Sequence, residues 1–268
     1  MPASHATGHE PAAISFENVG IRFGRGEWVL DALNLTIRDG EFFVLVGSSG
    51  CGKSTVLKLV AGIEHPTVGQ VCTHGVSVSR PGPDRAVVFQ SVDEPLMDWL
   101  TVKGNINFAL KLAGVSRDRR PGIIKEQLER VGLRAAAAKF PDQLSGGMKQ
   151  RVQIARVLAV DPAMLLMDEP FAALDAQSRR FLQQELVRLW TEQRRTVMYI
   201  THDVREAVLL GQRVAVMSAP PSSQIKDIFE IDLPYPRDEF QSEFVDYCRV
   251  VERSISEEVQ RQWSRDAG

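Results

Sequence analysis

The chain has 268 residues, enough to bury a sizeable core in one large or two modest domains. Lysine and arginine number 32 and aspartate and glutamate 34, so the net charge of −2 leaves no basic footprint for nucleic acid. Cys51, Cys72 and Cys248 are far apart with no C-x-x-C pair, which argues against a disulfide framework or a structural zinc site and suits a reducing compartment.

Residues 1–13, "MPASHATGHEPAA", are small and polar, lack the charged and apolar blocks of a secretory signal, and are expected to be disordered. From Ile14 to Ile37, "ISFENVGIRF" and "WVLDALNLTI" flank a Gly-rich turn and predict a small antiparallel β subdomain. Short apolar runs then follow at 42–47, 86–90, 164–169, 196–202 and 213–217, with helical stretches at 53–62, 146–159, 176–192 and 203–210. Buried strands alternating with helices predict an α/β fold around a mostly parallel sheet. Residues 94–153, rich in helix formers, predict a helical subdomain inserted between the second and third of those strands. The main domain is expected to end near 237, after the proline-dense "DLPYPRD". Over 238–268, Phe240, Phe244, Cys248, Val251, Ile255 and Val259 recur every three or four residues, an amphipathic helix expected to pack on the body. No run is long enough to span a bilayer, so any work at a membrane is expected to go through another protein.

Gly47-Ser48-Ser49-Gly50-Cys51-Gly52-Lys53-Ser54, with Thr55 next, fits G-x-x-x-x-G-K-[ST] between an apolar strand and a helix. Its glycines let backbone N–H groups turn inward around phosphate oxygens, and the following helix points its positive end at the same anion. This is a nucleotide site, and its strand–loop–helix resembles the P-loop of RecA-like nucleoside triphosphatases: Lys53 is expected to neutralise the β- and γ-phosphates and Ser54 to ligate Mg²⁺. Cys51 is expected to serve as a small loop residue whose alkylation blocks nucleotide binding. In "MLLMDEP" an apolar strand delivers Asp168 towards Mg²⁺, and Glu169 is expected to point elsewhere on the pleat and deprotonate an attacking water. Gln90 and His202 close two other strands; Gln90 is a candidate for Mg²⁺ or the attacking water, and His202 for the γ-phosphate. A second stretch, "LSGGMKQR", offers Ser145, Gly146 and Gly147 as another phosphate-shaped helix start in the same chain.

The P-loop, Gln90, "LSGGMKQR", "MLLMDEP", "ALDA" (173–176) and "THD" (201–203), in this order, resemble the ATP-binding subunits of ABC transporters over residues 14–237. The resemblance implies an Mg²⁺-dependent ATPase with Phe23 stacked on adenine. It also implies head-to-tail pairs of subunits, each nucleotide lying between one P-loop and the partner's LSGG helix start, with Asp175 along that interface. "LSGGM" with "FAALDAQSR", "LMDW" and "LPYPR" resembles the importer branch that serves nitrate, aliphatic sulfonates such as taurine, and related small anions or heterocycles. Transmembrane permease subunits are then the direct partners, a solute-binding protein an indirect one, and the inner face of the cell membrane the place of work. Leu96, Met97, Trp99 and Leu100 are candidates for the permease-docking surface, with Trp99 expected on the core side. Met148 stands where many members have Gln, which removes a polar contact at that position. The rival readings are a soluble ABC ATPase acting on nucleic acid or the translation machinery, and a P-loop kinase or GTPase. The first lacks a coiled-coil insertion or basic extension here. The second leaves "LSGGMKQR" and His202 unexplained.

Overall fold

The computed structural model describes residues 12–89 and 96–266. In chain order the elements are β1 (Ala12–Arg22), β2 (Trp28–Arg38), β3 (Phe42–Val46), α1 (Lys53–Ala61), β4 (Val68–Thr73), β5 (Val76–Ser77) and β6 (Arg85–Val88). Then follow α2 (Val102–Leu112), α3 (Arg120–Arg130), α4 (Gly146–Ala159), β7 (Met164–Asp168), α5 (Ala176–Gln193) and β8 (Thr196–Ile200). The chain closes with α6 (Val204–Leu210), β9 (Arg213–Met217), β10 (Ile225–Glu230) and α7 (Ser242–Asp266).

Two sheets form. One has the order β2-β1-β4-β5 and is antiparallel; the other has the order β10-β9-β3-β8-β7-β6. Its five inner and far strands run parallel, and β10 alone joins antiparallel at the edge. The central strands are apolar throughout because both faces are covered. Phe43 and Leu45 of β3 enter one apolar cluster with α1 and the antiparallel sheet. Phe42, Val44 and Val46, alternating with them, enter a second cluster with α2 to α7. Each such fully buried side chain contributes about 1.5–3 kcal/mol, so the pleat of β3 welds the two layers together. At the amino end of the sheet Trp190 donates from Nε1 to the Gly40 carbonyl at 3.0 Å and meets Phe42 edge-on.

Several boundaries differ from the sequence expectation. Ala12 and Ala13, assigned to the tail, begin β1, because Ala13 is buried and β1 pairs with both β2 and β4. The expected end of the helical insertion at 153 falls inside α4, one continuous helix to Ala159. Strands β4, β5 and β10 were not foreseen: β4 and β5 are short and joined by a His-Gly turn, and β10 alternates with charges at an open edge. The last helix starts at Ser242 rather than 238, and Phe240 is 82% exposed before it. The buried face of α7 runs through Phe244, Cys248 and Val251 and then through polar Ser254 and Glu258. Those two are accepted into the core by partners: Lys226 of β10 binds the Ser254 carbonyl and pairs with Glu257 and Glu258, and Glu258 accepts from the Ala219 N–H.

The antiparallel sheet matters to the site because β1 carries the chain to Phe23. Its pairing with β4 is held open at Gly69, whose φ is +76° and where a Cβ would sit 2.2 Å from the Asn18 carbonyl oxygen. Gly69→Ala is therefore expected to cost at least about 3 kcal/mol, a fall in Tm of roughly 6–12 °C measured by thermal melting.

Candidate nucleotide site

The carboxyl ends of β3, β8 and β7 are neighbours in the sheet, and the loops that follow them share one rim. The loop after β3 wraps into α1, whose start has no side-chain cap and no acidic residue in its first turn. By contrast α2, α4, α5 and α6 are each capped by a side chain: Thr101, Ser145, Asp175 and Asp203. Uncapped N–H groups and the positive end of the helix dipole are thus left facing outward at α1. Glycine is required at two places in this loop. A Cβ at Gly47 would lie 2.9 Å from the Cys51 sulfur, and at Gly52, with φ +90°, 2.9 Å from a Leu30 methyl. The Lys53 ammonium is held by the loop itself, donating to the carbonyls of Gly47 at 2.9 Å and Ser48 at 2.8 Å.

Asp168 ends β7 and is buried. Burial pushes its carboxyl above the usual aspartate range, while a hydrogen bond from Ser54 and the charge of Lys53 pull the other way. A buried carboxylate beside a hydroxyl is a hard oxygen donor pair, and it suits a hard cation whose remaining ligands are water and phosphate oxygens. Glu169 does not stay on the pleat as expected: it leaves the strand with φ 45°, in the left-handed region. Its N–H donates to the Ile200 carbonyl of β8, and its own carbonyl accepts from Ala172. This turn brings the Glu169 carboxylate to His202, with Oε1 3.0 Å from Nδ1.

Phe23, Ser49, Gly50, Gly52, Lys53, Ser54, Thr55, Asp168, Glu169 and His202 line one cavity of about 510 Å³. Val29 of β2 also lines it, a residue the sequence offered no reason to choose, since only the sheet brings it over the loop. Phe23 is half exposed, with its ring available for stacking. Gly47, Ser48 and Cys51 shape the loop from behind. Gln90 lies outside the described residues.

Ser145, Gly146, Gly147 and Asp175 are not part of this cavity. Ser145 caps α4, accepting from the Met148 N–H at 3.3 Å, and Ser145 and Gly146 are exposed. A Cβ at Gly147 would touch the Ala173 carbonyl at 3.3 Å, so the start of α4 packs on the "ALDA" turn. Asp175 caps α5 through Gln177 and Ser178. Met148 packs on the large apolar cluster, so at this position a hydrophobic anchor replaces a polar contact. Trp99 is 75% exposed, against expectation, and Leu96 takes the core position instead.

A family model described as ABC transporter matches residues 30–172. The chain belongs to the ABC transporter family. It is 47% identical to an uncharacterized ABC transporter ATP-binding protein of Methanocaldococcus jannaschii, over 86% of this chain and 85% of that one. It is 49% identical to the nitrate import ATP-binding protein NrtC of Synechococcus elongatus, over 80% of this chain and 33% of that longer one. The bicarbonate transport ATP-binding protein CmpC of the same organism is 47% identical over 84% of this chain and 34% of its own length. Among solved structures, a dimeric ATP-binding cassette bound to ADP and Pi in a post-hydrolysis state superposes with a TM-score of 0.72 at 30% identity, over 81% of this chain and 98% of that one. This chain is an ABC ATP-binding subunit of a transporter, an ATPase on an α/β P-loop fold.

The Cys51 thiol is buried in the cluster beneath α1, where its sulfur accepts from the Lys53 ammonium at 3.8 Å, and burial pushes its pKa up. Burial therefore limits how fast any alkylation at Cys51 can reach the loop in the folded protein. Iodoacetamide should modify Cys51 in the native protein at least ~100-fold more slowly than after urea unfolding, with or without nucleotide, as read by peptide mass mapping.

Proposed function

We propose that this ABC subunit hydrolyses Mg²⁺-ATP in a head-to-tail pair and so powers import of a small oxyanion through permease subunits. Lys53 and the N–H groups of the 47–55 loop bind the phosphates, Ser54 and Asp168 hold Mg²⁺, and Phe23 stacks on adenine. Glu169 accepts the proton of the attacking water, worth roughly 3–5 kcal/mol of barrier for general-base help of this kind. His202, braced by Glu169, meets the γ-phosphate. Gln90 is proposed to complete the metal and water shell.

The observation that carries the pairing is the split between the two phosphate-shaped helix starts. The cavity over Lys53 takes nothing from Ser145, Gly146 or Gly147, while Ser145 and Gly146 stand exposed at the head of α4 and Gly147 is partly covered by the 173–174 turn. Two such chains related by a two-fold axis can each lend α4 to the other's cavity, with Asp175 beside the seam. ATP is then part of the contact, and loss of the γ-phosphate loosens it. The oxyanion is supported by the named substrates of two relatives, nitrate and bicarbonate. Docking to a permease is supported by exposed Trp99, near Met97 and Leu100. Among the described residues no helix is long and apolar enough to cross a membrane, in keeping with peripheral attachment at the inner face.

Complementation tests the shared site. Lys53→Ala and Ser145→Arg are each expected to fall below about 1% of wild-type turnover. An equal mixture regains up to about a quarter, because half the pairs are mixed and each of those holds one intact composite site. No recovery, or full turnover by Ser145→Arg alone, overturns the sandwich. Glu169→Gln is expected to keep ATP binding, lose turnover, and elute as a dimer with Mg²⁺-ATP on a sizing column. A Glu169→Gln protein that stays monomeric under saturating ATP counts against the pairing.

A further inference from the structure

Behind His202 lies a buried carboxylate that touches neither the cavity nor solvent. Glu206, in the first turn of α6, is 8% exposed, and both of its oxygens are engaged. Oε1 accepts from the Gln183 side-chain amide of α5 at 2.8 Å, and Oε2 accepts from the Thr201 hydroxyl at 2.5 Å. Gln183 and Thr201 are themselves 7% and 2% exposed. The Thr201 oxygen also accepts from the Asp203 N–H at 3.0 Å, and the Thr201 N–H reaches the Leu45 carbonyl of β3. Tyr199, fully buried, sits beside the same carboxylate; burial and then the Glu206 charge push its phenol pKa well up.

Isolating a carboxylate from water costs several kcal/mol unless its lone pairs are filled, and here they are filled by groups on two other elements. An apolar side chain would pack there more cheaply, so the carboxylate has to be explained by what it holds. It holds Thr201, the residue before His202, and it holds Gln183 on the helix that Asp175 caps.

We propose that Glu206 is a positioning residue: with Thr201 and Gln183 it fixes the turn that aims His202 at Glu169, and it ties that turn to α5. The three side chains form a strut from the middle of α5, two turns beyond its Asp175 cap, to the tip of β8. A shift of α5, the element next to the exposed "ALDA" turn, is thereby passed to the imidazole. The catalytic consequence rests on the role proposed above for His202; the positioning itself does not.

Side-chain ¹⁵N spectra of the histidines, with His202 assigned by its loss in His202→Ala, separate the two. In the wild type His202 should show a single tautomer with the proton on Nδ1, donated to Glu169. In Glu206→Ala it should shift to the mixed, mostly Nε2-protonated state of a free imidazole. Turnover should fall about tenfold while KM for Mg²⁺-ATP stays within about threefold. Thr201→Val should reproduce both effects, and Glu206→Ala/Thr201→Val should be no worse than either single change. Glu206→Gln should restore the tautomer and turnover to within about threefold, since its carbonyl still accepts from Gln183 and its amide donates to the Thr201 oxygen. An unchanged His202 spectrum in folded Glu206→Ala and Thr201→Val overturns the positioning. Retained turnover in His202→Ala instead overturns the role of His202, whatever its spectrum does.

Discussion

The carboxyl ends of β3, β8 and β7 lie side by side in one parallel sheet, and everything this molecule can do to a phosphate follows from that adjacency. The strands are widely separated in sequence, yet the Gly47–Thr55 loop, His202 and the Asp168-Glu169 pair reach a common rim because each closes one of three neighbours. Register does the rest. Asp168 is opposite Ile200, so the acidic pair and the His202 turn leave the sheet at one level. A slip of one residue would turn Asp168 to the other face and away from Ser54. The alternation of β7 between the two clusters, Leu165 and Met167 in one and Met164 and Leu166 in the other, opposes that slip.

A single rim does not surround a triphosphate. It offers one uncapped helix end, one ammonium and one side wall of Phe23 and Val29, and the opposite side is open. The second helix start that carries phosphate-like chemistry is held at a distance from it by the packing of Gly147 against Ala173. That packing also explains why the helix is capped by Ser145 yet still presents Gly146: the cap satisfies the Met148 N–H, and the exposed glycine leaves the remaining backbone donors unshielded. Within one chain the two starts are fixed to different bodies of the fold. The pairing proposed above brings them to one phosphate by way of a second molecule.

Local chemistry was legible in the sequence, and through-space adjacency was not. The Gly47–Thr55 loop is contiguous and its glycine spacing states its own purpose. The strands around 42–46, 164–168, 196–200 and 213–217 were visible because a parallel sheet covered on both faces makes them apolar at every position. The edge strands β5 and β10 carry no such mark, nor does β4, whose first three residues are exposed. Trp99 and Phe240 misled for the same reason in reverse: a large apolar side chain reads as core, but whether a neighbour covers it is decided elsewhere in the chain. Val29 and the Glu206–Thr201–Gln183 strut could not be found by pattern at all, since each depends on two elements far apart in sequence.

The backbone of Glu169 shows how the site is set against the fold. A left-handed residue with a Cβ costs on the order of 1 kcal/mol, and glycine would occupy the same turn freely. The surrounding bonds hold the conformation in place: Glu169 N–H to Ile200, Ala172 N–H to Glu169, Asp168 paired with Ile200 in the ladder. Had the strand run on by one residue, the pleat would have sent this carboxylate to the face opposite Asp168 and away from His202. The kink instead places both acids on the cavity, Asp168 buried and Glu169 partly buried, so that residues adjacent in sequence face the same space with different solvation. The metal-ligand and base roles proposed for these two neighbouring carboxylates depend on that departure from regular strand geometry between them.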